Sequence, residues 1–319
     1  MILVLMVVFV LTGCVADPMP TMEPIPSQTT IRVEAVTEHK FFVPIVYMHI
    51  PAKVGVVSES PLSKVIRWHN PSTSIKVTVR GSDVVKRDGY DWSKPDNLMS
   101  GYRVDWITVN NSPEWMAQDG LICKLPLARH WWRYAEFVQL VIDRYHPKYI
   151  ELWNEPDIAY ADMPFEHVYF YGCIGDGQEY AQFADYIYSN VSGAEIIIGS
   201  VASPYTAFII DMINADPDYD GLSFHCYNRF YEKLVGNCVA EYDHTTQYTN
   251  KPVYLSETAV LYKTGSESDY EQAQIEHYNQ LLELPTVWYW YTLCGNGWPI
   301  GCCSTDLCRR PVYEEYIKE

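Results

Sequence analysis

Eight runs of apolar, β-branched and aromatic residues recur along this chain, each followed by a stretch that can be helical. They are FFVPIVYMH (41–49), IKVTVR (75–80), RVDWITV (103–109), YIELWN (149–154), EIIIGS (195–200), GLSFHCY (221–227), PVYLSE (252–257) and TVWYWYT (286–292). Each is short enough to be a buried strand, and a strand–helix alternation of this kind builds parallel sheet. The clearest helix runs from Ala128 to Tyr145, with Trp131, Ala135, Val138 and Ile142 at helical spacing and Pro147 as a stop. A second, from Gly177 to Val191, sets Tyr180, Phe183, Ala184, Ile187 and Val191 on one face. A third covers Asp269 to Leu284. Weaker helical stretches lie at about 61–69, 93–101 and 311–318. Eight consecutive βα units predict an α/β protein with the (β/α)8 (TIM) barrel as its single catalytic domain, over residues 31–319. A doubly wound open sheet is the alternative. It more often carries a glycine-rich phosphate loop after its first strand, and this sequence has none there.

The first 30 residues belong to a different regime. Met1 to Leu11 is almost wholly apolar, too short for the roughly 20 residues that cross a bilayer, and is followed by Leu11-Thr12-Gly13-Cys14. That tetrad resembles a bacterial lipoprotein cleavage site, which implies lipidation at Cys14 as the link to a membrane. No lysine or arginine precedes the apolar run, a departure from the usual pattern. Read as an ordinary signal peptide, the segment still predicts export, either to the cell surface or as a secreted protein. Residues 15–30 carry four prolines and three threonines and no aromatic residue, and read as an extended linker. Beyond Cys14 there are eight cysteines, an even number that suggests disulfides in an oxidising compartment, with 105 possible pairings. Cys294, Cys302, Cys303 and Cys308 cluster; no CxxC spacing supports a zinc site among them, and no metal or cofactor is expected.

A formal net charge of −17 repels phosphate backbones, so nucleic acid is not expected as a partner. The 26 tyrosines and 10 tryptophans suit a large core and also flat, amphipathic ligands.

Two strands end on carboxylates. YIELWNEPD (149–157) climbs through Ile150, Leu152 and Trp153 and then stops on Asn154-Glu155-Pro156, and PVYLSE ends on Glu257. In barrels of this type the active site lies at the C-terminal ends of the strands, so Glu155 is expected at the mouth and only partly buried. Alternation along Val253, Leu255 and Glu257 would send the two apolar residues into the barrel and raise the carboxylate to its rim. Glu151, two steps below Glu155, reads as a structural barrel carboxylate. Asp157 and Glu114 read as loop carboxylates.

Asn-Glu-Pro at the end of a fourth strand and Ser-Glu at the end of a seventh resemble the clan A (4/7 superfamily) retaining glycoside hydrolases, with family 39 and family 5 barrels the most similar. GYDWSKPDNL (89–98), VNNSPEWM (109–116), FHCY (224–227) and WYW (288–290) extend the resemblance from about residue 75 onward. It implies hydrolysis of β-glycosidic bonds in an oligo- or polysaccharide by double displacement, with Glu257 as nucleophile and Glu155 as acid and then base. It further implies substrate-binding roles: Arg80 holding Glu257 ionised, Asn154 on a sugar 2-hydroxyl, Tyr227 donating to Glu257, and His225 in the same network. Trp290 would form the floor of the cleavage subsite and Trp115 would stack on a neighbouring sugar. Two other classes compete. A metal-dependent hydrolase would need two histidines on the first strand, where YMH (47–49) supplies only His49. A degenerate carbohydrate-binding barrel on a lipoprotein would be expected to have lost one of the two carboxylates.

Overall fold

The computed structural model describes residues 54–58, 74–100, 104–158, 172–229, 237–261 and 267–291. The chain divides after Ile45. The expected signal segment, linker, first strand at 41–49, helices at 61–69 and 311–318, His49 and the late cysteine cluster all lie outside the described residues.

Parallel strands with intervening helices form a curled α/β sheet. Its strands are β1 (Val54–Ser58), β2 (Ser74–Arg80), β3 (Trp106–Asn110), β4 (Tyr149–Leu152), β5 (Glu195–Val201), β6 (Gly221–Arg229), β7 (Val253–Leu261) and β8 (Trp288–Tyr291). From β2 onward each follows its predicted run closely. The strand beside β2 is VGVVS at 54–58, later in the chain than the run expected to fill that place. Val56 is in register with Ile75 of β2 and with Trp290 of β8. A two-residue ribbon, Val85–Lys86 with Gly89–Tyr90, follows β2.

The helices are α1 (Ser93–Met99), α2 (Trp131–Tyr145), α3 (Gly177–Asn190), α4 (Ala207–Asn214), α5 (Cys238–Thr245) and α6 (Glu267–Leu282). α2 buries Tyr134, Ala135, Phe137, Val138, Val141 and Ile142, the stripe its sequence period demands. It ends where His146 turns left-handed (φ 49°) and donates to the Ile142 carbonyl, just before Pro147. α3 starts where Asp176 accepts from the Glu179 amide.

Two cores follow from strand alternation. Val77, Val79, Ile107, Val109, Ile150, Leu152, Ile196, Ile198, Leu222 and Phe224 point toward the helices. Trp106, Tyr149, Ile197, Tyr254 and Tyr289 form a separate cluster. The Trp106 ring lies 5.3 Å from that of Tyr254 although β3 and β7 are not neighbours, so this cluster fills the concave side of the curl. It is an aromatic floor, and everything polar inside the curl stands on it.

The parity expected for β7 is corrected here. Val253 and Leu255 belong to the helix-side core, and Tyr254 faces the concave side. Glu257 would follow Val253 and Leu255 outward, but the register moves from Phe224↔Leu255 to His225↔Glu257, and from Trp288↔Leu255 to Trp290↔Thr258. The extra residue, Ser256, is a β-bulge that turns Glu257 inward. β5 has its own bulge at Ser200 (φ 48°), where Gly199↔Ser223 is followed by Val201↔Phe224. Gly199 (φ 96°) takes the left-handed conformation before it, and a Cβ there would sit 2.5 Å from the Ser223 carbonyl oxygen.

Candidate active site

After β4 the chain leaves the ladder in an unusual way. Trp153 (φ 73°) and Glu155 (φ 46°) both have left-handed backbone, a costly state for side chains of this size. Packing and hydrogen bonds hold them. Trp153 is buried against Tyr134 and Phe183 of the helices, and its amide donates to the Val109 carbonyl. The Glu155 amide donates to the Ser200 carbonyl. Glu155 is thereby directed inward and is only 6% exposed, rather than partly open at the rim as its position implied.

A buried carboxylate needs a partner. That partner is His225 on β6, itself fully buried, whose Nδ1 lies 2.9 Å from Glu155 Oε1. The same nitrogen is 3.7 Å from Glu257 Oε2. The two carboxylate oxygens can therefore be no further apart than the sum of those distances. Ser200, the β5 bulge residue, fixes the ring from its other side, with Oγ 3.1 Å from Nε2. Burial opposes an imidazolium here, but the charge of Glu257 and the bond to Glu155 outweigh it, and the His225 pKa lies above the ordinary histidine value.

Glu257 is 5% exposed and held from two sides. The Tyr227 hydroxyl donates to Oε2 at 2.6 Å, and Lys76 Nζ donates to Oε1 at 3.2 Å. Burial pushes its pKa up, but His225, Lys76 and the tyrosine hydrogen bond more than offset this, leaving it below the usual carboxylate value. His225 and Tyr227 lie on β6 itself, which continues to Arg229, and not in a loop after it.

A cation beside Glu257 is Lys76, in the role expected from sequence for Arg80. Both lie on β2 with the same strand parity, Arg80 two steps nearer the C-terminal end. Lys76 is fully buried, and its other bonds run to Glu151 Oε2 at 2.7 Å and the Ser256 carbonyl at 3.1 Å. Glu151, read from sequence as merely structural, sits at the centre of a closed set. Thr108 donates to its Oε2 at 2.6 Å and Ser223 to its Oε1 at 2.7 Å. Burial opposes its charge, Lys76 and His225 outweigh burial, and its pKa falls to about 2.

Asn154 is buried beside Glu155. Trp115 is half-buried in the loop after β3, under the Arg87 guanidinium (5.6 Å to the ring centre) and edge-on to His130 (5.5 Å). None of these Trp115 contacts is to the carboxylates. The side chain of Trp290 lies outside the described residues. Glu114 is exposed, and Asp157 accepts from the Ala202 and Ser203 amides. Lys76, Ser200 and Ser223 were missed from sequence. Their signal is the inward parity of polar residues: Lys76, Thr78 and Arg80 on β2, Thr108 and Asn110 on β3, Ser223, His225 and Tyr227 on β6. Among the described residues no cluster of His, Cys, Asp and Glu could hold a metal ion.

Two disulfides brace this end of the sheet. Cys226–Cys238 joins the β6 residue between His225 and Tyr227 to the start of α5. Cys123–Cys173 joins the loop after β3 to the loop after β4.

No family model matches the sequence, and no curated protein matches it. Solved structures do. A family 39 glycoside hydrolase from Bacteroides cellulosilyticus WH2 superposes with a TM-score of 0.57 at 15% identity, covering 83% of this chain and 62% of that one. A conserved exported protein from Bacteroides fragilis gives 0.54 at 13% identity, covering 70% and 60%. A GH39 β-xylosidase from Caulobacter crescentus gives 0.53 at 14%, covering 83% and 70%. The chain thus spans under two thirds of the length of the first two. The fold is that of clan A-like glycoside hydrolases.

Proposed function

We propose that this chain is a retaining glycoside hydrolase that cleaves β-glycosidic bonds of an oligo- or polysaccharide. The observation that carries this is the pair Glu155 and Glu257, brought from the turn after β4 and from the middle of β7 to 2.9 Å and 3.7 Å from one histidine nitrogen. Retaining enzymes place their carboxyl groups about 5–5.5 Å apart and inverting ones about 6.5–9.5 Å apart, and a histidine nitrogen hydrogen-bonded to one carboxylate and within ion-pair distance of the other favours the closer arrangement. The pairing of β1 with both β2 and β8 supports a complete (β/α)8 barrel as the frame.

In the first step the Glu257 carboxylate attacks the anomeric carbon as the glycosidic C–O bond breaks, and Glu155 gives its proton to the departing oxygen. In the second, water attacks the same carbon and gives a proton to Glu155, while the ester bond breaks and returns Glu257 as carboxylate. Tyr227 and Lys76 hold the resting Glu257 ionised and oriented. His225, tied by Ser200, keeps both carboxylates facing one cavity. Asn154, Arg80, Trp115 and Trp290 are the proposed sugar contacts. The disulfides and the N-terminal segment support an exported protein, with Cys14 as the proposed lipid anchor.

The test is hydrolysis of a panel of aryl β-glycosides and soluble β-glycans. Glu257→Ala is expected to lower turnover by roughly 10³-fold or more on every substrate. Glu155→Ala should lose about 10²–10⁴-fold on natural glycans but far less on activated aryl glycosides, whose leaving group needs no proton. Near-wild-type hydrolysis by Glu257→Ala would end the assignment. Binding of glycans without hydrolysis would turn it to a carbohydrate-binding barrel.

A further inference from the structure

We propose that Lys76 and Glu151 act together as a positioning pair that sets the charge and orientation of Glu257 through both half-reactions. The inference rests on the glycosidase reading for its kinetic meaning, and on geometry for its substance.

Lys76 has three N–H donors, and all three are committed: to Glu151, to Glu257 and to the Ser256 carbonyl. The last of these is the β7 bulge residue, so the ammonium grips the backbone immediately before Glu257 as well as its side chain. Glu151 is anchored by Thr108 and Ser223 from β3 and β6. Ser223 is itself fixed by the Ser200 amide at 3.0 Å, and Ser200 holds His225. One polar layer above the aromatic floor therefore connects to both catalytic carboxylates. Among the described residues, the titratable groups around Glu257 include Lys76 from β2, Glu151 from β4, and His225 and Tyr227 from β6, with Glu155 across His225.

The stoichiometry gives the pair its purpose. Lys76 with Glu257 alone would be a neutral ion pair, holding the carboxylate back from attack. When Glu257 becomes a neutral glycosyl ester, that lysine would be left as an unpaired buried ammonium, a costly state. With Glu151 present, Lys76 stays neutralised whether Glu257 is carboxylate or ester. Lys76, Glu151 and Glu257 together then carry one negative charge at rest and none in the covalent intermediate. Glu257 keeps the net charge that makes it a nucleophile, and Lys76 is never left without an anionic partner.

Removing the two members has opposite consequences. In Glu151→Gln, Lys76 has only Glu257 as a charged partner, so Glu257 should titrate lower. The acid limb of kcat/KM should move to lower pH, and kcat should fall about tenfold because the nucleophile is held tighter. In the double variant Lys76→Met/Glu151→Gln, which removes both members of the ion pair together, Glu257 loses Lys76 and keeps His225 and the Tyr227 hydroxyl. It should titrate at least about one pH unit higher, a tenfold change in proton affinity, and the acid limb should move up with it.

The experiment is a carbon-13 NMR titration of the glutamate carboxyl groups in the intact protein. Glu257 is assigned by its loss in Glu257→Gln, and pH–rate profiles of the same variants are recorded alongside. Shifts of opposite sign in two folded variants support the pair, and a purely structural role would not move the Glu257 titration in either. An unchanged titration, or a shift of the same sign in both, overturns it. The NMR readout does not need turnover. Absence of hydrolysis in the wild-type protein would therefore defeat the glycosidase reading, while the titration still judges the pair.

Discussion

Asp157, two residues beyond Glu155, shows what a half-buried carboxylate costs when, among the described residues, no cation pairs with it. Burial, together with the nearby Glu155 charge, raises its pKa to about 6, against the pull of the Ala202 amide. Its folded pKa lies above the unfolded value of about 3.9, so the stability it contributes is present below that value and is lost as pH rises through about 6. Asp157→Asn keeps one acceptor for the Ala202 amide and removes the titration. The variant should gain stability over wild type on going from pH 5 to pH 7.5, by on the order of 1 kcal/mol, in thermal melts at the two values. An equal effect at both would place the strain elsewhere. Glu151 is the contrast: fully buried, but answered by Lys76, Thr108 and Ser223, so its pKa falls. Burial pushes both upward, and the partners decide the sign.

Among elements, the loop after β4 carries left-handed Trp153 and Glu155 and is joined to the loop after β3 by Cys123–Cys173 across 50 residues of sequence. The Cys173 amide also donates to the Cys123 carbonyl, and the Gly175 amide to the Pro156 carbonyl, so the crosslink continues into the turn that bears Glu155. Closing a loop of that length restricts the unfolded chain by about 4 kcal/mol in the chain-entropy account. Cys123→Ala/Cys173→Ala should lower the melting temperature by on the order of 10 °C. A melt unchanged from wild type would show that the loops are held by their hydrogen bonds and packing alone. Cys226–Cys238 closes only 12 residues, and its importance is positional, because it pins the strand between His225 and Tyr227.

For the whole molecule, the net charge of −17 adds to a site whose proposed nucleophile is anionic. A polyanionic glycan would approach against that field, and a neutral one would not feel it. Exposed charges more than a Debye length apart, about 10 Å at 0.1 M salt, are largely screened. For a carboxylated β-glucan, kcat/KM should therefore rise severalfold from about 20 mM to about 300 mM salt. For the unmodified polymer it should change by less than about twofold. An equal response would mean that the cleft is shielded from the surface charge.

Short windows of sequence already specify the order of strands from β2 to β8, the stripes of α2 and α3, and the segments 149–157 and 252–257 as the places where the two carboxylates stand. Those features depend on local periodicity and on a few residues that stop a strand, both written within short windows. What only the tertiary structure decided was direction and partnership. The inward turn of Glu257 depends on one extra residue in β7, which pairing with β6 and β8 reveals and alternation along PVYLSE contradicts. The burial of Glu155 depends on left-handed backbone stabilised by β5 and β6. The placing of Lys76 between Glu151 and Glu257 depends on a relation between strands far apart in sequence. Register across a curled sheet is a nonlocal quantity. One residue of slip or bulge reverses a side chain's face, so the identity of buried charge partners is fixed only when the strands meet.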